Sequence, residues 1–421
     1  MDDPHSRTKA DVGWLVTVSV MVILTGMAYS LWWAAVVRHQ GLYWVVPGDT
    51  WGTVRAAHWI DWGSFSFIYN AGTALVTLPG FHLLLAPVVA LSSHLHLSET
   101  APGLPGPPKP TTWLLIGPIF LACATLPVFA ADALARRLGT ALWARRALAL
   151  GTGAAVWPTV AIWGHPEDVL ALGLATYALV ALLNRRLGAA GWLLGGALAM
   201  QLYAIALIPL FIAVVGRRKA APLVARAAVL PGFLLVAVIV PNAHATIHAL
   251  LDQPNFPKVD HATPWLLLAP KLGHGAVAAG PGRIIGLVLA VAVGALGVRY
   301  RSDAHRIVWL AAAVLGLRCI FESVMDPYYV MPVIMLALVV AADLGASRLV
   351  AMSAAGAGLT VLTYFRPDMW AYWLEMTGVI VAILVVTWPR GENRQPAPDD
   401  RNLDQFEARP RETPSPVAVP A

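Results

Sequence analysis

Asp49 and Asp61 stand twelve residues apart in a stretch crowded with Trp44, Trp51, Trp59, Trp62, Phe65 and Phe67, with Arg55, His58 and Tyr69 among them. A carboxylate within hydrogen-bond reach of a hydroxyl can take its proton as that oxygen attacks an electrophile, and nearby cations or donors can hold an anion. Aromatic rings at this density suit a membrane–water interface, and they also stack on sugar rings. Asp49 follows Pro47-Gly48, a pair that turns the chain sharply and can aim the next side chain back toward a bundle. Asp61 has simpler options, pairing with Arg55 or capping a helix end. An interfacial belt whose acids merely face water accounts for the same residue types.

A second group, Trp163-Gly164-His165-Pro166-Glu167-Asp168, lies between two apolar segments. Its acids either meet the positive N-terminal end of the next helix or form an acidic corner that orients hydroxyls or holds a divalent cation. A third group joins Arg318, Glu322, Asp326, Tyr328 and Tyr329. Arg318 and Glu322 have helical i, i+4 spacing, and charges at membrane depth are paired and often functional. Between Asn242 and Gly280, His244, His248, Lys258, His261, Lys271 and His274 form a reception area for an anionic phosphate. His244 and His248 have the spacing of a helical metal pair, but no third ligand accompanies them.

These groups must be positioned by helices in a membrane. The 421 residues are 58% hydrophobic and only 12% charged, with a mean hydropathy of +0.66, against about 25% charged for a soluble domain. Cys123 and Cys319 both sit in apolar segments, so neither a disulfide framework nor a thiolate metal site is indicated. The net charge of +6 falls in short basic runs between apolar segments, the pattern of cytoplasmic loops rather than of a nucleic-acid surface.

Apolar segments predict spans near 13–37, 113–135, 145–163, 168–184, 221–241, 282–298, 307–324, 328–344, 348–364 and 371–388. The run between Arg186 and Arg217 is too long for one span and too short for two, which predicts two short helices meeting near Gln201. Arg136, Arg137, Arg145, Arg146, Arg185, Arg186, Arg217, Arg218, Lys219, Arg299, Arg301, Arg306 and Arg348 fall on one side, the cytoplasmic one by their excess. Arg38, Arg55, Lys109, Lys258, Lys271, Arg283 and Arg366 are left opposite.

The expected fold is all-α: a polytopic transmembrane helical bundle of about twelve spans with both termini cytoplasmic. Consistency then requires the segment 73–97, with Pro79, Pro87, His82, His94 and His96, to be embedded in a large first outer loop rather than to cross. Residues 100–110 read as an irregular connector. Residues 1–388 form one membrane domain, and the Pro-rich, charged 389–421 a disordered cytoplasmic tail.

This ordering resembles the GT-C superfamily of integral membrane glycosyltransferases, and in particular bacterial polyprenyl-phosphate-mannose-dependent mannosyltransferases. Gly48-Asp49 leading to Ile68-Tyr69 and Leu78-Pro79 looks like that family's acidic first loop and the proline-bearing helix after it. Trp163 to Asp168 resembles its second acidic corner, and Asp326-Pro327-Tyr328-Tyr329 with Pro332 a late outer turn. The chain departs from the pattern at Gln201, where relatives often carry lysine, and no compact DxD is present.

The resemblance implies an inverting hexosyltransferase of the plasma membrane. It would move a sugar, mannose by the likeness, from a polyprenyl-phosphate donor to a lipid-linked or cell-envelope glycan acceptor. Asp49 would be the general base, with Arg55, His58, Asp61, Tyr69, His165, Glu167, Asp168 and Tyr328 binding substrate. Membrane lipids are the expected surroundings, nucleic acid is not a partner, and no cofactor is expected, a divalent metal remaining open. The alternatives are a glycolipid transporter or flippase, for which a convincing internal repeat is missing, and a noncatalytic subunit of an envelope-synthesis complex.

Overall fold

A chain this apolar must satisfy its backbone N–H and C=O groups internally when lipid surrounds it, and the computed structural model is helical almost throughout. It describes residues 4–33, 36, 49–69, 75–96, 110–258, 260–362 and 368–389. The Pro47-Gly48 turn, the end of the first expected span, most of the 100–110 connector, Arg366 and the tail after Pro389 lie outside the described residues.

The first half comprises α1 (Pro4–Trp32), α2 (Thr50–Asp61), α3 (Gly80–His94), α4 (Pro110–Cys123), α5 (Leu126–Arg137), α6 (Leu142–Ala161), α7 (Pro166–Leu183) and α8 (Leu187–Met200). The second comprises α9 (Ile208–Val215), α10 (Arg217–Ile239), α11 (Ala243–Ile247), α12 (Gly280–Ala295), α13 (Ala304–Ile320), α14 (Pro327–Leu344), α15 (Ala346–Leu362) and α16 (Met369–Val386). The described strands are two short ones, β1 (Lys271–Gly273) and β2 (Ala276–Val277), paired antiparallel.

Among the described residues, seven helices are long and apolar enough to cross a membrane: Val12–Trp32, Trp113–Arg137, Pro166–Leu183, Arg217–Ile239, Gly280–Val298, Pro327–Leu344 and Met369–Val386. The remaining expected segments are helical too. α6 spans 20 residues, and α13 and α15 span 17 each. α3 has 15 residues, a length of about 22 Å against a hydrocarbon core of about 30 Å.

The break expected near Gln201 is present. Gln201 leaves the helix with φ −151° and ψ 131°, and its side chain accepts from the Leu202 N–H at 3.0 Å. A 3-10 segment, Leu202–Leu207, leads from there into α9. Gly216, at φ +79°, turns α9 into α10, a left-handed conformation that glycine adopts without a Cβ penalty.

Burial sorts the long helices. About three quarters of α7 and α14 is inside the protein, 72% and 78% of their most apolar stretch, against 22% for α10 and for α16. α7 and α14 are therefore the most buried of these seven helices. Both begin with proline at the first helical position, where the missing N–H costs no hydrogen bond. Pro166 and Pro327 thus fix the start of each helix, and with it His165, Glu167, Asp168, Asp326 and Tyr328.

α3 packs against α2 and touches α8 at close range. A Cβ at Gly80 would stand 2.3 Å from the Ala199 carbonyl oxygen, so glycine allows this approach. The Thr77 hydroxyl donates to the Met200 carbonyl at 3.2 Å, and the Tyr69 hydroxyl to the Thr77 carbonyl at 2.8 Å. These bonds tie the segment after α2 to the end of α8.

Between α11 and α12 the chain is ordered by pairing. Asn255 exchanges backbone hydrogen bonds with Val277 at 2.9 and 3.0 Å. Thr263 N–H donates to the Ser323 carbonyl at 3.1 Å, and Met325 N–H to the His261 carbonyl at 2.8 Å. The connection is stitched in this way to the turn between α13 and α14.

Candidate active site

His165 is the hub of the site. Gly164, at φ +81°, makes the tight turn out of α6, and His165 then caps α7 with its ring placed between acids from two parts of the chain. Its Nε2 lies 3.0 Å from Asp49 Oδ2 and its Nδ1 2.8 Å from Glu167 Oε1. Asp168 Oδ2 is 3.6 Å from the same Nδ1. Tyr328 stacks on the imidazole at 4.3 Å and 23°, and Trp163 leans on Tyr328 at 5.6 Å.

Both imidazole nitrogens therefore face carboxylates. Burial alone would lower the His165 pKa, but the hydrogen bonds and charges of Asp49 and Glu167 win and hold it well above its ordinary 6.5. Asp49 responds in the opposite sense. Burial raises it, and the His165 hydrogen bond and charge bring it below the ordinary 3.8. The pair is an imidazolium and a carboxylate at neutral pH.

Glu167 and Asp168 have 7% exposed side chains, whereas Asp49 keeps 60% of its surface. Asp49 is the carboxylate that an incoming molecule reaches. Its Oδ1 forms no hydrogen bond among the described residues, which leaves it able to accept from a hydroxyl. His165, Glu167 and Asp168 also bring their ligand atoms within 4.8 Å of one another, close enough to hold a cation. Such binding has to displace the proton that His165 shares with its neighbours.

A stability prediction follows. Asp49 is depressed, so its contribution is present above pH 3.8 and is lost as pH falls through its lower folded value. His165 is raised, so its contribution is full below 6.5 and is lost as pH rises through its higher folded value. The unfolding temperature of the protein in detergent is therefore expected to exceed that of His165→Gln most between about pH 4 and 6.5, the gap closing in alkali. A gap that widens steadily with alkali contradicts the ion pair.

The other sequence-chosen residues are not all in this cluster. Arg55 lies over the Trp51 ring at 4.8 Å. His58 is buried with both ring nitrogens unbonded among the described residues, and burial holds it below its ordinary value against the pull of Asp61. An uncharged His58 brings no charge to a phosphate. Asp61 is exposed at the end of α2. Tyr69 spends its hydroxyl on Thr77, as above. Of the histidines between α10 and α12, His244 and His274 are exposed, and His248 turns to Asp252 rather than to His244.

His261 is the exception. It is buried, its Nδ1 lies 3.1 Å from Asp326 Oδ1, and its ring stacks on Tyr372 at 4.6 Å and meets Trp163 at 6.0 Å. Next to it stands Asp260, which sequence reasoning passed over. Burial first, then the Asp326 and Asp49 charges, push its pKa up to about 7. The adjacent pair Asp260-His261 in the histidine-rich connection between α11 and α12 was the available signal. Arg283 was also missed as a partner of Glu322. Its Nε stands 3.0 Å from both carboxylate oxygens and its Nη2 2.6 Å from one of them.

Comparison of the chain with protein-family models, with curated proteins and with solved structures gives no match.

Proposed function

We propose that the protein is a membrane glycosyltransferase that moves a hexose, mannose in the first instance, from a polyprenyl-phosphate donor to a lipid-linked or cell-envelope glycan acceptor. The observation that carries this reading is the Asp49 carboxylate, 60% exposed and bound to His165 at 3.0 Å above two buried acids. Asp49 accepts the proton of an acceptor hydroxyl as its oxygen bonds to the anomeric carbon. The bond from that carbon to the donor phosphate breaks, polyprenyl phosphate departs with the electron pair, and the anomeric configuration inverts. His165 holds Asp49 ionised until the hydroxyl arrives, and Tyr328 and Trp163 offer aromatic faces to a sugar ring.

In this reading the chain crosses the plasma membrane about twelve times with both termini cytoplasmic. α3, too short to cross, is an embedded wall of the outer cavity. A transport reading draws on one feature, the interrupted helix at Gln201, since broken helices line transporter sites. Membranes supplied with labelled polyprenyl-phosphate mannose separate the two. Label appearing in a new glycosidic product supports transfer, and label that only changes leaflet refutes it in favour of transport.

A further inference from the structure

We infer that the exposed face of α16 is a docking surface for a transmembrane helix of another protein, one that carries a lysine or arginine at the depth of Glu375. The role is independent of sugar transfer. α16 is among the least covered of the long helices, with 22% of its most apolar stretch inside the protein. Its outward side shows Leu374, Val381 and Val385, which are 59%, 50% and 68% exposed, as suits contact with lipid. Glu375 is exposed on the same helix, and among the described residues it forms no hydrogen bond or ion pair.

Depth sets that carboxyl apart. Trp388, which meets Trp309 edge-on at 4.5 Å, stands just past the far end of α16, and tryptophans of this kind mark a membrane boundary. The rise of a helix puts Glu375 about 20 Å from Trp388, and so about 10 Å inside a hydrocarbon core of about 30 Å. An acidic side chain there is costly against lipid and is ordinarily paired.

α16 is not free to turn it inward. Tyr372, Met376, Ile380 and Ile383 are buried on the opposite side. The Tyr372 hydroxyl donates to the Met325 carbonyl at 2.6 Å, and the Trp373 indole N–H to the Ile320 carbonyl at 2.8 Å. Near the other end, the Trp309 indole N–H donates to the Leu384 carbonyl at 2.8 Å. At about 100° per residue, bringing Glu375 to the middle of the buried side takes about a quarter turn, which carries these partners apart. The counter-charge has to come from outside the chain.

Shape agrees with charge. Gly378 and Ala382 follow Glu375 at i+3 and i+7, on its side of the helix. Ala382 is exposed, and a Cβ at Gly378 would meet nothing within 4 Å, so this glycine answers to no neighbour in the chain. Small residues four apart let a second backbone approach closely in lipid, where polar side chains then bond across the contact. Glu375 selects the chemistry of that second helix, because a basic side chain brings donors and the opposite charge. Two copies of this chain meeting through α16 would set one carboxyl against another.

The test places the full chain in phosphatidylcholine vesicles and reads energy transfer from a label on the protein to one on a synthetic single-span peptide. The probe is an apolar peptide with a Gly-x-x-x-Ala stripe and one lysine about 10 Å inside one boundary. Its control carries leucine in place of the lysine. The lysine peptide is expected to associate about fivefold to thirtyfold more tightly than the control, the weight of an interhelical polar contact between model helices. Glu375→Leu is expected to abolish that preference and Glu375→Gln to keep part of it. Gly378→Ile is expected to weaken both peptides, since its bulk holds the backbones apart.

Equal association of the two peptides with the unaltered protein overturns the inference, whatever the variants do. So does an undiminished lysine preference in a monodisperse Glu375→Leu protein. Labelled copies counted per vesicle at low protein-to-lipid ratio decide between occupants. Single copies that still prefer the lysine peptide support the foreign helix. Pairs of this chain that come apart in Glu375→Leu give the face to a second copy and overturn that assignment.

Discussion

Asp49→Asn is expected to lower sugar transfer by about a hundredfold to ten-thousandfold, the usual weight of a positioned general base, while abundance and monodispersity in detergent stay near those of the parent. The amide keeps the size of the carboxylate and can still face His165, so packing loses little. It cannot accept a proton from a hydroxyl. Asp49 is 60% exposed, and folding does not depend on burying it. Asp61, exposed at the end of α2, is the control, and Asp61→Asn is expected to transfer at near-parental rates. The competitor is Asp260, whose pKa of about 7 suits a base operating at neutral pH. If Asp49→Asn transfers normally and Asp260→Asn does not, the assignment of the base moves to Asp260.

Glu322→Ala is expected to destabilise the protein by about 3–5 kcal/mol, the range for removing one partner of a buried ion pair. Glu322 is 1% exposed, and its carboxylate receives Arg283 at 2.6 Å and Arg318 at 3.3 Å. Alanine leaves two guanidiniums facing each other with no counter-charge. The backbone reinforces the site, because the Thr263 hydroxyl donates to the Glu322 carbonyl at 2.5 Å and ties the connection between α11 and α12 to the turn before α14. A strongly lowered unfolding temperature in detergent, with loss of folded yield, is the expected reading. An unchanged unfolding temperature shows that water already reaches these charges and that the triad holds nothing together. Glu322→Gln, which keeps an acceptor oxygen without the charge, is expected to fall between the two.

The helices themselves were legible in the chain. Apolar runs bounded by basic loops marked α1, α4 with α5, α6, α7, α10 and α12 to α16. The misfit length between Arg186 and Arg217 located the break at Gln201. These are local matters, settled by how many apolar residues follow one another and by where glycine, proline and charge interrupt them. The residues worth attention were legible as well, since carboxylates, histidines and arginines are conspicuous in a chain only 12% charged.

Which of them meet was a different question. Asp49 finds His165 across 116 residues, and His261 finds Asp326 across 65. The sequence presented these as separate groups. In a membrane both the lipid-facing and the protein-facing sides of a helix are apolar, so periodicity does not mark which face packs inward. Lateral neighbours are set instead by small residues that let backbones close up, as Gly80 does against Ala199, and by polar groups that need partners. The chain alone thus fixed the helices and their chemistry-bearing ends. Only packing decided that the starts of α7 and α14 meet, stacking Tyr328 on His165 and setting His165 against Asp49.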